Sequence, residues 1–190
     1  MAATYLDRDV LIRVAADAAD REGWTNLTMS GVAKQVDRHV TSLYGHVDGL
    51  DGLRREVRVL ALAELGDRCW TAALGRTGDD ALTALLDVYR GYLRDHPGRC
   101  AALQSVDGRD PELARLGLRV AEPFFATLRS YGLTDAAAVQ AQQIISVAVR
   151  GFGASEASGR FGDRPTADAT FAQLRALFLS ALRSGAWPVG

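Results

Sequence analysis

The sequence of 190 residues holds 22 basic and 23 acidic side chains, which give a formal net charge of −1. This balance excludes a protein whose whole surface binds a polyanion, so any nucleic-acid site must be a local patch. A chain of this length can bury the core of one large domain or of two small ones.

Apolar residues recur at three-and-four spacing almost throughout the chain, which predicts an all-α fold of about nine helices. Asp7 is a suitable N-cap for the first predicted helix, and Gly23 ends it. The residues predicted to face inward from this helix are Val10, Leu11, Val14, Ala15 and Ala18. The next three predicted helices cover 28–36, 40–47 and 51–67.

The apolar spacing in the second half of the chain predicts helices that are longer and more apolar than those of the first half. The segment GRTGDD at 75–80 is the clearest break in the pattern. Asp110 and Pro111 form a strong helix start, and Pro123 inside the same helix predicts a kink. The fifth predicted helix carries Leu82, Leu85, Leu86, Tyr89 and Leu93. The last four cover about 98–103, 110–132, 134–153 or beyond, and 166–184.

The two short helices at 28–36 and 40–47 are joined by a tight turn and follow a longer helix, which is the helix-turn-helix arrangement. The second of them can enter the DNA major groove if its outer face is small and polar. Leu43 and Val47 are four residues apart and are predicted to face inward. The outward face then holds Thr41, Ser42, Tyr44 and Gly45, and the tyrosine hydroxyl can donate to a phosphate.

The segment LTMSGVAKQVDRHVTSLYGHVDGLDGL at 27–53 resembles the DNA-binding segment of the tetracycline-repressor (TetR) family of transcriptional regulators. The matching features are Leu27-Thr28-Met29, Val32-Ala33, Leu43-Tyr44 followed by His46-Val47, and Leu53. The segments HPGRCAAL and VRGFGASEASGRFG are similar to stretches of ligand-binding domains in that family.

The resemblance implies an all-α homodimer. Residues 1–50 would form a helix-turn-helix module that reads a double-stranded, palindromic DNA operator. Residues 51–190 would form a helical domain that dimerises and binds a small-molecule effector, whose binding releases the DNA. The implied function is a ligand-responsive repressor.

Three residues depart from the family pattern at the turn. Asp37, Arg38 and His39 stand where the family usually has Gly, an apolar residue and Ser. Aspartate tolerates a left-handed turn, but Arg38 replaces a buried anchor and His39 is a weaker N-cap than serine. Residues 1–50 also hold five basic and seven acidic side chains, which disfavours binding to a polyanion. One interpretation is a module of altered specificity or modest affinity. The alternative is a helical small-molecule-binding or interaction dimer whose DNA-binding module is degenerate.

Polar and basic side chains of the module are the candidate DNA contacts, with Arg55 as a further source of positive charge. Each of these side chains could have a role other than DNA contact. It could pack against the module, point into solvent or donate a hydrogen bond to a neighbouring carbonyl. The candidates are Thr28, Lys34, Arg38, His39, Val40, Thr41, Ser42, Tyr44, His46 and Arg54.

Aromatic residues at helical spacing are candidates for an effector pocket, although plain core packing is the alternative for each. They are Trp70, Tyr89, Tyr92, His96, Phe124 and Phe125, and they favour an apolar or aromatic effector.

The wide apolar faces of the last two helices are candidates for the dimer contact, and closure of their own domain is the alternative. The residues singled out there are Ala138, Gln142, Ile145, Val149, Phe171, Leu174, Phe178 and Leu182.

Signals for enzymatic chemistry and for targeting are poor. The segment GFGASEASG matches neither a dinucleotide-binding loop nor a nucleophile elbow. The three histidines and two cysteines lack metal-ligand spacing, so no metal or cofactor is predicted. The acidic N-terminus is unlike a signal peptide, and no stretch is apolar enough to span a bilayer. We therefore expect a soluble, cytoplasmic, non-enzymatic protein without a membrane partner.

Overall fold

The computed structural model describes residues 7–104, 108–185 and 187. Within these ranges the chain forms nine α-helices, one short 3-10 helix at Trp24–Asn26 and no β-strand, which confirms the all-α prediction. The helices are α1 Arg8–Glu22, α2 Met29–Gln35, α3 Val40–Leu43, α4 Gly49–Ala73, α5 Gly78–Asp95, α6 Pro97–Leu103, α7 Pro111–Arg129, α8 Asp135–Ala157 and α9 Arg164–Arg183.

Side-chain caps fix the start of the first two helices. The Asp7 carboxylate accepts the Asp9 N–H at 3.0 Å, and the Thr28 hydroxyl accepts the Gly31 N–H at 3.1 Å. The inward face predicted for α1 was partly wrong, because Val10 is 49% exposed. The helix also buries Ile12, which is outside the predicted inward face, and α1 as a whole packs against α4 and α6.

The turn between α2 and α3 has the predicted left-handed residue. Asp37 has φ of +51°, a conformation that aspartate tolerates better than most residues. The helix that follows is shorter than predicted, since α3 ends at Leu43 and residues 44–46 form a turn. His39 caps α3 by its backbone position alone, without a side-chain hydrogen bond. A weak cap and a glycine at position 45 account for a helix of little more than one turn.

The fourth helix is longer than the predicted range of 51–67, since it continues to Ala73. Gly66 lies in its interior, and a β-carbon there would lie 3.2 Å from the Arg119 side chain of α7. A methyl group at position 66 would therefore require the Arg119 side chain to shift by a few tenths of an ångström.

The seventh and eighth helices have their predicted caps. Asp110 accepts the Glu112 and Leu113 N–H groups, and the Thr134 hydroxyl accepts the Ala137 N–H at 3.5 Å. The ninth helix begins at Arg164, before the predicted residue 166, and Asp163 caps it by accepting the Thr166 N–H at 2.8 Å. The seventh helix continues through Pro123, whose carbonyl accepts the Thr127 hydroxyl at 2.9 Å. The kink at Pro123 stays a prediction.

Two hydrophobic clusters form the core of the described chain. The first joins α1, α2 and α3 to the start of α4, down to Val57. The second begins at Ala61 of α4 and includes α5 to α9. The helix α4 therefore belongs to both cores, and the domain boundary predicted at residue 50 stays a proposal. No described helix combines the length and apolar character that a membrane span requires.

Candidate DNA surface, effector cleft and interdomain contact

The outer face of α3 is polar and exposed. Leu43 and Val47 are buried, whereas Thr41, Ser42 and Gly45 are exposed and Tyr44 is 59% exposed. The orientation predicted from the spacing of Leu43 and Val47 is thus confirmed. A small polar surface with one projecting tyrosine is suitable for approach to base edges and phosphates.

Several hydroxyl and basic groups near this face already have local partners. The Ser42 hydroxyl donates to the His39 carbonyl at 2.7 Å, and the Thr28 hydroxyl caps α2. The half-buried Arg38 guanidinium donates to the Asp37 carbonyl at 2.9 Å. Lys34 and His39 are exposed at the surface of the module, and Val40 is half-buried. His46 is half-buried, and its carbonyl accepts the Arg8 Nε at 3.4 Å.

The basic residues at the start of α4 contact other residues of the chain, although they were expected to supply positive charge for DNA. Arg55 donates to Asp110 at 2.6 Å and to Glu112 at 2.8 Å, and these carboxylates raise its pKa. The expectation that Arg55 supplies free positive charge was therefore wrong, because the residue joins α4 to the start of α7. Arg54 is half-buried, with its guanidinium over the Trp24 ring at 5.7 Å.

Three of the predicted pocket aromatics are core residues. Tyr89, Tyr92 and Phe124 are each at most 4% exposed, and the Tyr89 and Phe124 rings meet edge-on at 6.2 Å. Phe125 is half-buried against the same core. These four residues support the alternative of plain packing.

Trp70 is the predicted pocket residue that borders a cleft. The cleft has a volume of about 310 Å³ and lies between the end of α4 and α7. Its walls include Trp70, Leu74, Pro123, Ala126, Thr127 and Ser130. The Trp70 Nε1 donates to the Arg119 carbonyl at 3.1 Å, which leaves its ring edge at the cleft. An apolar cleft of this size is suitable for a small, largely apolar molecule.

An ion cluster around the buried Arg99 joins α6 to α1 and α4, and sequence reasoning missed it. The Arg99 side chain is 5% exposed and reaches Asp17 at 2.6 Å, Asp20 at 3.5 Å and Glu64 at 3.5 Å. The Arg99 N–H also donates to Asp20 at 2.9 Å. His96, a predicted pocket residue, instead belongs to this cluster, with its Nδ1 3.1 Å from Asp20. Charged residues inside otherwise apolar helical segments were the signal available in the sequence.

The backbones of α6 and α1 also approach each other closely beside this ion cluster. A β-carbon built on Gly98 would lie 2.1 Å from the carbonyl carbon and oxygen of Ala19. The helix α6 can approach α1 this closely only because position 98 has no side chain.

The residues predicted for the dimer contact lie mainly inside the protomer. Ile145, Val149, Phe171 and Phe178 are at most 8% exposed, as are Ala138 and Leu182, while Gln142 and Leu174 are half-buried. The buried residues face their own core, so a second chain would meet other side chains. Those exposed on the same two helices include Ile144, Val147 and Leu177.

Comparisons with known proteins agree with this architecture. The model of the tetracyclin repressor-like C-terminal domain matches residues 82–178. An uncharacterized HTH-type transcriptional regulator from Mycobacterium tuberculosis is 36% identical over 171 residues, covering 89% of this chain and 78% of that protein. The HTH-type transcriptional repressor DrrR1 from Streptomyces coeruleorubidus is 30% identical, covering 97% of this chain and 67% of that protein.

A solved structure shows the same fold over nearly the whole chain. It is a TetR variant from Acinetobacter baumannii in complex with minocycline, with a TM-score of 0.74 and 20% identity. The match covers 97% of this chain and 100% of the other. The chain therefore belongs to the TetR family of helix-turn-helix transcriptional regulators, which are not enzymes.

Proposed function

We propose that this regulator is a repressor that binds a palindromic operator as a homodimer and releases it when a small-molecule effector binds the C-terminal domain. The observation that carries the proposal is the exposed polar face of α3 above buried Leu43. The relatedness to a protein named as a transcriptional repressor supports the direction of regulation.

Recognition of DNA would depend on hydroxyl and ring contacts more than on charge. Thr41 and Ser42 can reach base edges, while Tyr44 can donate its hydroxyl to a phosphate. Lys34, at the end of α2, is exposed and can neutralise a phosphate. Thr28, Arg38, His39, Val40, His46 and Arg54 remain proposed contacts at the edge of this surface.

Dimerisation would use the exposed apolar side chains of α8 and α9. Val147 is 63% exposed and Leu177 is 67% exposed, and Ile144 lies one turn from Val147 on α8. Large apolar residues grouped at the surface are typical of a protein contact. Two copies of these helices can form a four-helix interface with two-fold symmetry, which would present two α3 helices to one operator.

Effector binding would act through the cleft between α4 and α7. Trp70 and Pro123 lie on its wall, and α4 also contributes to the core of the DNA-binding module. A ligand that favours a different position of α4 would change the separation of the two α3 helices. A few kcal/mol of differential binding is enough to shift such an equilibrium.

Operator binding with variants of α3 tests the proposal. DNA from the promoter region beside the gene is titrated with the full chain at several salt concentrations. We expect a steep negative slope of log K against log salt, with roughly 0.9 for each phosphate neutralised. Tyr44→Phe should weaken operator and random DNA about equally, whereas Thr41→Ala should mainly reduce sequence preference. Thr170→Ala on the exposed face of α9 is the matched control and should change neither.

A helical dimer with a degenerate DNA-binding module is the second candidate. It is favoured by the ion pairs that neutralise Arg55 and by the exposed acidic residues Asp37 and Asp48 on either side of α3. Absence of binding to promoter DNA at low salt, from a chain that still dimerises, would support this candidate and refute the repressor.

A further inference from the structure

Pro123 fixes the aromatic wall of the cleft between α4 and α7. In an α-helix the carbonyl of residue 119 accepts the N–H of residue 123, but a proline has no N–H to donate. The Trp70 Nε1 donates to the Arg119 carbonyl instead, at 3.1 Å. Since this N–H is the single donor of an indole, a ligand in the cleft meets the apolar part of the Trp70 ring.

Two hydroxyl groups of the cleft are also bonded within the protein. The Thr127 hydroxyl donates to the Pro123 carbonyl at 2.9 Å, and the Ser130 hydroxyl donates to the Thr127 carbonyl at 2.6 Å. Leu74 and Ala126 add apolar surface to the same walls. Most of the cleft therefore offers apolar contact to a ligand.

The turn between α4 and α5 contributes the other polar side chains, Arg76 and Thr77. Among the described residues that line the cleft, Arg76 is the one that carries a charge. Its Nη1 donates to the Ala72 carbonyl at 2.8 Å, and a guanidinium has four further N–H groups. Thr77 stands at the N-cap position of α5, but its hydroxyl does not cap the helix. Both side chains can therefore donate to an acidic group in the cleft.

Two acidic residues, Asp79 and Asp80, follow in the first turn of α5, and neither is among the residues that line the cleft. The Asp79 carboxylate accepts the Tyr131 hydroxyl and pairs with Arg183 at the end of α9. The Asp79 charge is thus compensated within the protein, and Arg76 gives this end of the cleft a positive charge.

We propose that the cleft binds an organic anion with a planar, apolar body, whose rings lie against Trp70 and Pro123 and whose acidic group lies at Arg76, and that this anion is the effector. The inference rests on the proposed function, and it assigns the chemical class of the effector. A volume of about 310 Å³ is at the lower end of the range of ligand sites, which suits a small ring system. An arginine can hold a carboxylate by two parallel hydrogen bonds, which would fix the orientation of the ligand.

Three probes with the same ring and different charges test the proposal on the full chain. Indole-3-acetate is an anion at neutral pH, indole-3-acetamide is neutral and tryptamine is a cation. Calorimetry measures their binding, and we expect a Kd of about 1 mM or below for the anion, with weaker binding of the amide and the weakest binding of the amine. Absence of binding by indole-3-acetate, or equal binding of the amide, would overturn the assignment.

Two substitutions separate the charge from the apolar wall. Arg76→Gln should weaken binding of indole-3-acetate by about 3- to 10-fold and leave binding of the amide unchanged, because charge-assisted hydrogen bonds are lost from an exposed position. Trp70→Leu should weaken binding of all three probes, because the aromatic wall is lost. The control Arg160→Gln changes an exposed arginine outside the cleft and should have neither effect.

Thermal denaturation without ligand shows whether the variants are folded. Arg76→Gln should melt like the wild type, so that weaker binding does not reflect unfolding. An unchanged preference for the anion in Arg76→Gln, or unaltered binding of the probes by Trp70→Leu, would show that the probes bind elsewhere.

The outcome is distinguishable from failure of the proposed function. Arg76→Gln should bind promoter DNA like the wild type and should need about 3- to 10-fold more indole-3-acetate to release it. If the wild type binds indole-3-acetate but no promoter DNA, the repressor proposal fails while the cleft assignment stands. If promoter DNA is bound but indole-3-acetate does not bind or does not release the DNA, the effector assignment fails while operator binding stands.

Discussion

The contact between α6 and α1 makes Gly98→Ala an informative substitution. The added methyl group would lie 2.1 Å from the carbonyl carbon and oxygen of Ala19 and 2.5 Å from the Asp20 nitrogen. Carbon atoms in favourable contact are about 3.5–4.0 Å apart, so the two helices must separate by roughly 1 Å or more. The atoms in the way are backbone atoms, which cannot move aside by rotating a side chain.

The loss of stability expected for Gly98→Ala has two sources, the overpacking at Ala19 and the strain on the hydrogen bonds next to it. Inserting a methyl group into a packed core costs about 1–3 kcal/mol, and a clash with helix backbone belongs at the upper end. Separation would also lengthen the bond from the Arg99 N–H to Asp20, which is 2.9 Å long. If the free energy of unfolding falls by about 3 kcal/mol, the melting temperature of a chain of this size should fall by about 6–12 °C.

Thermal and urea denaturation followed by circular dichroism measure the effect, with Gly91→Ala as the matched control. Gly91 lies inside α5, and a β-carbon there meets no atom within 4 Å. The control should therefore be neutral, or more stable by about 0.5–1 kcal/mol because alanine favours the helix. If Gly98→Ala is as stable as the control, the close contact of α6 with α1 does not exist in solution.

Three other substitutions or conditions give further expectations. Arg90→Met removes a 7% exposed arginine and takes the cation from Glu156, whose side chain is 11% exposed, so the free energy of unfolding should fall by about 3–5 kcal/mol. An unchanged urea midpoint would contradict the buried ion pair. Arg55 lowers the pKa of Asp110, so this pair stabilises the fold above the ordinary aspartate pKa of about 4 and is lost as the pH falls through the lowered value. Asp110→Asn keeps the helix cap, and its unfolding midpoint should vary less with acid pH than that of the wild type. Burial raises the pKa of Cys69 to about 12 and also raises the pKa of Cys100. A thiol reagent at pH 8 should therefore label the protein only as it unfolds. Rapid labelling of the folded protein would refute the burial of these thiols.

The helices and the face of α3 could be predicted because they depend on local sequence. The spacing of Leu43 and Val47 decides which side of α3 is buried, and Asp110 and Thr134 cap their helices through neighbours in the chain. Local capping and periodicity act within a few residues, so a single sequence contains them.

The contacts that were missed join residues far apart in the chain. Arg55 meets Asp110 across 55 positions, and Arg99 meets Asp17 across 82. Periodicity also cannot tell a helix's own core from a second subunit, because both require an apolar stripe. Ile145 and Val149 therefore looked like dimer residues, while the exposed Val147 between them was not among the dimer candidates.

The neutralisation of Arg55 by Asp110 and Glu112 bears on how this regulator would search a chromosome. Affinity for random DNA rises with the number of phosphates that a protein neutralises, and each engaged cation slows escape from the wrong site. A module with few available cations should leave random sequence quickly. We therefore expect few molecules to be sequestered by the rest of the genome, so that even a small cellular pool can keep its operator occupied.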